Sequence, residues 1–268
     1  MRGSIVGGTG MRGGLRGWLL VALALGSAAV ASGVVAAAVP MTCSTAWESS
    51  DAQALAFAPD GSIFSANRYA GRVCHYSADG AELSAWSLPP GFGSPVFWPV
   101  GIDVDAAGDV YVSDVGSNCV YKCSAAGAVL DTIGRGTLVA PRGAACDRQN
   151  GHVYVCDGQG YAIREFSADG ELVRSIAADW YVSDVTLGDN GELYASAYNG
   201  RVYHFAADGS LLTTWQPADA GPNTSFTSVA RGPDGRIHVV DRGGTRVLVL
   251  TADLQGVGAW RLDCSSLN

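Results

Sequence analysis

Four positions in this chain repeat one acceptor side chain at the end of an apolar, β-rich run. Asn67, Asp114, Asp157 and Asp241 close segments such as Val110-Tyr-Val-Ser113 and Val153-Tyr-Val-Cys156, and Ala197 stands at the fifth equivalent position. Hard oxygen donors of this kind suit Ca2+ or Mg2+. Asp114, Asp157 and Asp241, helped by Asn67 or Asp184, are therefore the candidate set for a cation, Ca2+ being the open cofactor, or for a polar ligand. The same residues have a plainer use. A short acceptor at a loop start takes the backbone N–H groups of the turn, or pairs with a later Arg as Asp241 can with Arg246. Its return in unit after unit favours this scaffolding role.

A second set precedes the first strand of each unit: Gln53, Val100, Arg142, Ser183 and Thr227, with Asp184 beside it. Convergent polar groups over a channel mouth form a default binding site, and both sets belong on one rim if the units surround an axis. Trp98 ends a long apolar link beginning at Pro89, which also holds Phe92 and Phe97, and is a candidate contact on that rim. The link from Pro217 to Phe226 contains Asn223-Thr-Ser, a glycosylation sequon in a eukaryotic secreted chain. His75 and His204 sit at one third-strand position, and His152 and His238 lie elsewhere, so no three converge as a zinc site needs. Glu82, Glu171 and Glu192 fall at turns, no acidic pair is marked out, and neither a nucleophile elbow nor a phosphate-binding Gly loop is present.

The elements that must position these residues recur five times between Asp51 and Trp260. An apolar strand (Leu55-Ala-Phe57, Ile102-Asp-Val104) turns at a glycine (Gly61, Gly108, Gly151, Gly191, Gly235) into a second strand. A loop leads to a third, and a second turn, often Ala-Asp-Gly, leads to a fourth ending at Trp86, Ile133, Ile176, Trp215 or Trp260. Asp-Gly and Asn-Gly supply the positive φ angles of tight hairpins, so each unit reads as a four-stranded antiparallel meander. Its two apolar faces need like neighbours, which a radial array of sheets provides. The expectation is an all-β fold, a β-propeller of about five blades over residues 41–268, six only if the termini add strands.

Pro99-Val-Gly-Ile-Asp-Val-Asp-Ala-Ala-Gly-Asp-Val-Tyr-Val-Ser-Asp114 resembles the NHL repeat, with its Pro-x-Gly-Ile, turn, Tyr-Val-x-Asp and later Arg-Ile. The likeness covers most of residues 51–260 and is weakest in the fourth unit, where Ala197 replaces Asp. It implies a propeller used either as a binding scaffold or as an enzyme. Similar NHL-like lyases that finish peptide amidation use His-bound zinc, and lactonase-like propellers use an acidic cluster in the channel mouth.

Residues 1–40 carry Arg2, Arg12 and Arg16, no acid, and an apolar run from Trp18 to Val39. They read as a signal peptide, cut after Ala31 in Ala29-Val-Ala, or as an uncleaved membrane anchor over 18–39. The remainder holds 14 basic against 25 acidic residues, a net −11, and repels a phosphate backbone, which excludes nucleic acid as the expected partner. All seven cysteines lie beyond this segment, and in an oxidising compartment Cys43 and Cys264 are the candidate disulfide, since a propeller brings its ends together. The expected function is thus an extracytoplasmic propeller that binds a protein, peptide or glycan through the rim of Asn67, Asp114, Arg142, Asp157, Asp184, Asp241 and Trp98. The chain touches the membrane only through its N-terminal segment. The alternative is a metal-dependent lyase or lactonase-like hydrolase using that rim.

Overall fold

The computed structural model describes residues 52–88 and 97–261. The N-terminal segment, Cys43, Cys264 and Phe92 lie outside them. Twenty strands form five four-stranded antiparallel sheets, and each sheet takes its strands in chain order. Blade one comprises β1 (Ala52–Phe57), β2 (Ile63–Asn67), β3 (Arg72–Tyr76) and β4 (Glu82–Trp86). Blade two comprises β5 (Pro99–Val104), β6 (Val110–Asp114), β7 (Cys119–Cys123) and β8 (Val129–Ile133). Blade three has β9 (Pro141–Cys146), β10 (Val153–Asp157), β11 (Ala162–Phe166) and β12 (Leu172–Ala177). Blade four has β13 (Val182–Leu187), β14 (Leu193–Ala197), β15 (Val202–Phe205) and β16 (Leu211–Trp215), and blade five β17 (Phe226–Arg231), β18 (Ile237–Asp241), β19 (Arg246–Leu250) and β20 (Gly256–Arg261). The protein is a β-propeller of five blades, as the repeats require.

Burial follows the position of each strand in its blade. The second strands of blades one to four are buried throughout, whereas β4 and β16 alternate nothing and lie open to solvent. Apolar clusters join successive blades, so the core sits between sheets rather than within any one of them. Phe64 and Val73 of blade one meet Val110 and Val112 of blade two. Tyr111 and Val120 of blade two meet Val153 and Phe166 of blade three. Tyr154 and Ile163 meet Leu193 and Phe205, and Tyr194 and Val202 meet Ile237 and Leu250.

Near the axis the inner strands approach so closely that two glycines are required. A Cβ on Gly101 would lie 2.4 Å from the carbonyl oxygen of Arg142, and one on Gly143 would lie 2.0 Å from the Asp184 carboxylate. At the opposite end Arg148 closes the inner strands of three blades, donating to the carbonyls of Val104 (3.1 Å) and Phe57 (2.9 Å).

The described residues of blades five and one make no junction of comparable packing. The corresponding cluster on blade one, Ile63, Cys74 and Tyr76 with Leu55, draws no residue from blade five. Phe57 is 37% exposed where its counterparts Val104 and Cys146 are buried, and Ala230 is exposed where Ala56 and Ala145 are buried.

Candidate functional site

Each inner strand carries a register shift just after its first residue: between Ala52 and Ala54, Pro99 and Gly101, Val182 and Asp184, and Phe226 and Ser228, with the matching shift in blade three opposite Cys156. The extra residues are Gln53, Val100, Arg142, Ser183 and Thr227, the set expected before each first strand. A β-bulge bends its strand and re-aims the bulged side chain. One device, repeated five times, sets this ring at the channel mouth.

The acceptors that end the second strands are structural hubs. Asp114, fully buried, takes the N–H of Trp98 (2.6 Å) and Gly116 (3.1 Å) on Oδ1, and the N–H (3.0 Å) and hydroxyl (2.5 Å) of Ser117 on Oδ2. Asp157 accepts from Val139 N–H (2.8 Å) and Arg164 Nε (2.8 Å). Asp241 accepts from Gly244 N–H (3.1 Å) and from Arg246 Nε (2.9 Å), the partner anticipated for it. Asn67 accepts the Ser65 hydroxyl at 2.6 Å. Each carboxylate is occupied by donors of its own loop, of the third strand or of the link entering the blade, and among the described residues no three of His, Cys, Asp or Glu stand together as metal ligands. These residues order the loops of the rim.

Asp184 is different. It lies on the inner strand and reaches into the next blade, accepting from the Ser228 hydroxyl (2.7 Å) and the Val229 N–H (3.1 Å). Burial pushes its carboxyl up to about 6, against the lowering effect of those hydrogen bonds. Asp103 makes a similar clasp to Cys146 N–H at 2.7 Å, and burial raises its pKa too.

Arg142 holds the most elaborate surroundings on the mouth. Its Nε donates to the Tyr181 hydroxyl at 2.8 Å, and its guanidinium lies 5.4 Å from the Tyr181 ring centre and 6.0 Å from that of Tyr198. Those two rings are 5.3 Å apart. Trp98, 41% exposed, is pinned by its N–H on Asp114 and by its carbonyl on Val115 N–H, and Arg68 sits 5.5 Å from the ring centres of both Trp98 and Tyr69. Tyr69, Tyr161 and Trp180 are at least half as exposed as their full surface allows or close to it, and all lie in loops of this same rim. The sequence marked Arg142 and Trp98 but not Tyr181, Tyr198, Arg68 or Tyr161. One signal was available: Tyr181 precedes Val182 as Trp98 precedes Pro99, an aromatic residue at the entry to an inner strand.

Asn223 is exposed and lines a recess of about 270 Å3 with Asp219, Asp241 and Arg246. The histidines stay apart. His75 stacks on Phe64 (4.0 Å between centres), His204 on Tyr194 (4.3 Å), His152 bonds Glu165 (2.7 Å), and His238 is buried beside Trp260. Cys74, Cys119, Cys123, Cys146 and Cys156 are buried free thiols, and burial raises the pKa of Cys119 to about 11 and of Cys123 to about 12.

No family model matches the chain, and no curated protein matches its sequence. Solved structures do match in fold. Virginiamycin B lyase from Staphylococcus aureus aligns over 80% of this chain and 71% of its own, with 16% identity and a TM-score of 0.65. A structure of a nidogen/laminin complex aligns over 79% of this chain and 80% of its own, with 16% identity and a TM-score of 0.66. A protein of unknown function from Bacteroides caccae aligns with 14% identity and a TM-score of 0.60. At such identities the likeness is one of architecture, and it places this chain among the β-propellers, a fold that serves both a lyase and a protein found in complex with another.

Proposed function

We propose that the chain is an extracytoplasmic, NHL-like propeller that binds a protein, peptide or glycan ligand with the rim bearing Arg142 and Trp98. The observation that carries this is the distribution of exposed aromatic rings. Tyr69, Trp98, Tyr161 and Trp180 are exposed on this rim, and the opposite rim, built of Asp- and Gly-containing turns, exposes Phe57 alone of the described aromatic residues. Aromatic residues and Arg mark the centres of protein interfaces, where rigid rings bring much contact area for little lost entropy. The nidogen/laminin structure supports protein as the ligand class. The basic, then apolar, then small-residue order of residues 1–40 supports export, with the segment either removed or kept as an anchor.

A photo-crosslinking residue placed at Tyr161 or Trp180, and in turn at Pro59 or Asp208 on the opposite rim, tests the reading in the organism's own extracytoplasmic fraction. Defined adducts are expected from the first pair only. Equal labelling from both rims would refute it. A metal-dependent lyase or lactonase remains the rival class, and it requires converging ligands that the described residues do not bring together.

A further inference from the structure

Among the described residues seven cations are paired with carboxylates. Lys122 and the arginines at 164, 174, 201, 231, 236 and 246 each pair with a carboxylate, and Arg148 is held by backbone carbonyls. Arg68, Arg72 and Arg142 make no ion pair among the described residues, and all three stand at the rim discussed above. Two of them are nonetheless held. Arg68 lies against Tyr69 and Trp98, and Arg142 against Tyr181 and Tyr198. Arg72 has a buried Nε with no hydrogen-bond partner. It faces Asn67 across the strand pair, the relation in which Asp241 faces Arg246 and takes its Nε in blade five. Blade one thus has an amide where the counter-charge would be. On blades four and five the exposed acids Asp179 and Asp219 pair with Arg201 and Arg246, whereas among the described residues Arg68, Arg72 and Arg142 form an arc of guanidinium groups without an ion pair from blade one to blade three.

We propose that this arc docks an acidic segment of a partner protein, its carboxylates meeting Arg68, Arg72 and Arg142 and its side chains lying on Tyr69, Trp98, Tyr181 and Tyr198. The proposal rests on the reading of this rim as the binding face. A guanidinium fixed by aromatic rings presents a planar fork matched to a carboxylate, and little freedom is lost when it binds. A long polyanion would carry its charge beyond the rim onto a surface of net −11, which repels it, whereas a short acidic segment keeps its charge within the arc.

The test measures fluorescence anisotropy of a labelled short peptide alternating Glu and Tyr, titrated with the full chain. A peptide with Lys for Glu and a heparin oligosaccharide serve as comparators. Saturable binding of the Glu peptide is expected, weakened about tenfold in Arg142→Gln and again in Arg68→Gln, the loss of one charge-assisted hydrogen-bonded contact. Arg142→Lys, which keeps the charge and gives up the fork, should fall between. Melting curves of all three variants must overlay the parent, and the Lys peptide should not bind. Tighter binding of heparin than of the Glu peptide, unchanged affinity in the variants, or no saturable binding would overturn the proposal. If crosslinks from Tyr161 and Trp180 persist in that event, the rim remains the binding face and only the acidic ligand class fails.

Discussion

The two rims of the disc are joined by the same strands, yet their loops obey different constraints. On the rim of the strand one–two and three–four hairpins, short turns need an acceptor and a positive φ. Asp60 accepts the N–H and hydroxyl of Ser62 at 2.9 and 2.6 Å, Asp105 the N–H of Ala107 and Asp109 at 2.9 Å, and Asp208 the N–H of Ser210 at 2.8 Å. These hydrogen bonds hold the carboxyls of Asp60 and Asp208 below their usual range. The negative charge of this rim is thus a by-product of turn chemistry. On the other rim the acceptors Asp114, Asp157 and Asp241 are buried beneath their loops, and the exposed loop residues include Tyr69, Trp98, Tyr161 and Trp180. Where the backbone dictates the residue the surface carries little information about a ligand, and where a buried hub does the dictating the exposed residues are left to function.

The sharpest way to break this contrast is to remove a hub. Asp114→Ala leaves the N–H groups of Trp98, Gly116 and Ser117 and the Ser117 hydroxyl without their acceptor, and a loss of about 3 kcal/mol is expected in urea unfolding. A loss under about 0.5 kcal/mol would show that the acids of this rim are not its scaffold and would return them to the candidate ligand set.

A second comparison separates Asp184 from the turn acids. Its carboxyl, pushed up to about 6 in the folded protein, lies above its ordinary 3.8, so the folded state binds the extra proton between these values. Stability should therefore fall as pH rises from about 4 to about 6, and the deficit should be fully present above that window. Asp184→Asn removes this dependence. Urea midpoints at pH 4, 5, 6 and 7 should show the parent losing ground to the variant as pH rises, and parallel profiles would exclude a raised carboxyl.

The smallest effect on stability is expected where the largest effect on binding is. Tyr161→Ala and Trp180→Ala remove half-exposed rings and should change unfolding free energy by no more than about 0.5 kcal/mol. A loss of several times that amount would mean that these rings are packing elements of the loops.

The blades were legible in the sequence because each hairpin is written twice, once in the Asp-Gly or Asn-Gly of its turn and once in the apolar runs beside it. Even the degenerate fourth unit, with Ala197 for Asp, kept enough of both to form β13 to β16. The rim was legible only in part. Asp114 could be placed on it, but the four donors that occupy its oxygens come partly from Trp98, sixteen residues back, and no local pattern reports that. The Arg142 cluster needs Tyr181 and Tyr198, from another blade, so its distances exist only after the inner strands have met. The bulges that aim the entry residues carry no common side chain, since Gln, Val, Arg, Ser and Thr all occupy them.

The lack of an apolar junction between the described residues of blades five and one bears on how the parts depend on one another. In a ring bound equally at every join, no blade leaves without breaking two apolar interfaces. Through the described residues, blades two, three and four are each held by two such interfaces, and blades one and five by one apiece. Among the described residues the ring therefore has two ends despite its circular plan. The packing of the described residues is that of a short linear array, in which blade three, flanked by an apolar interface on each side, lies farthest from either end.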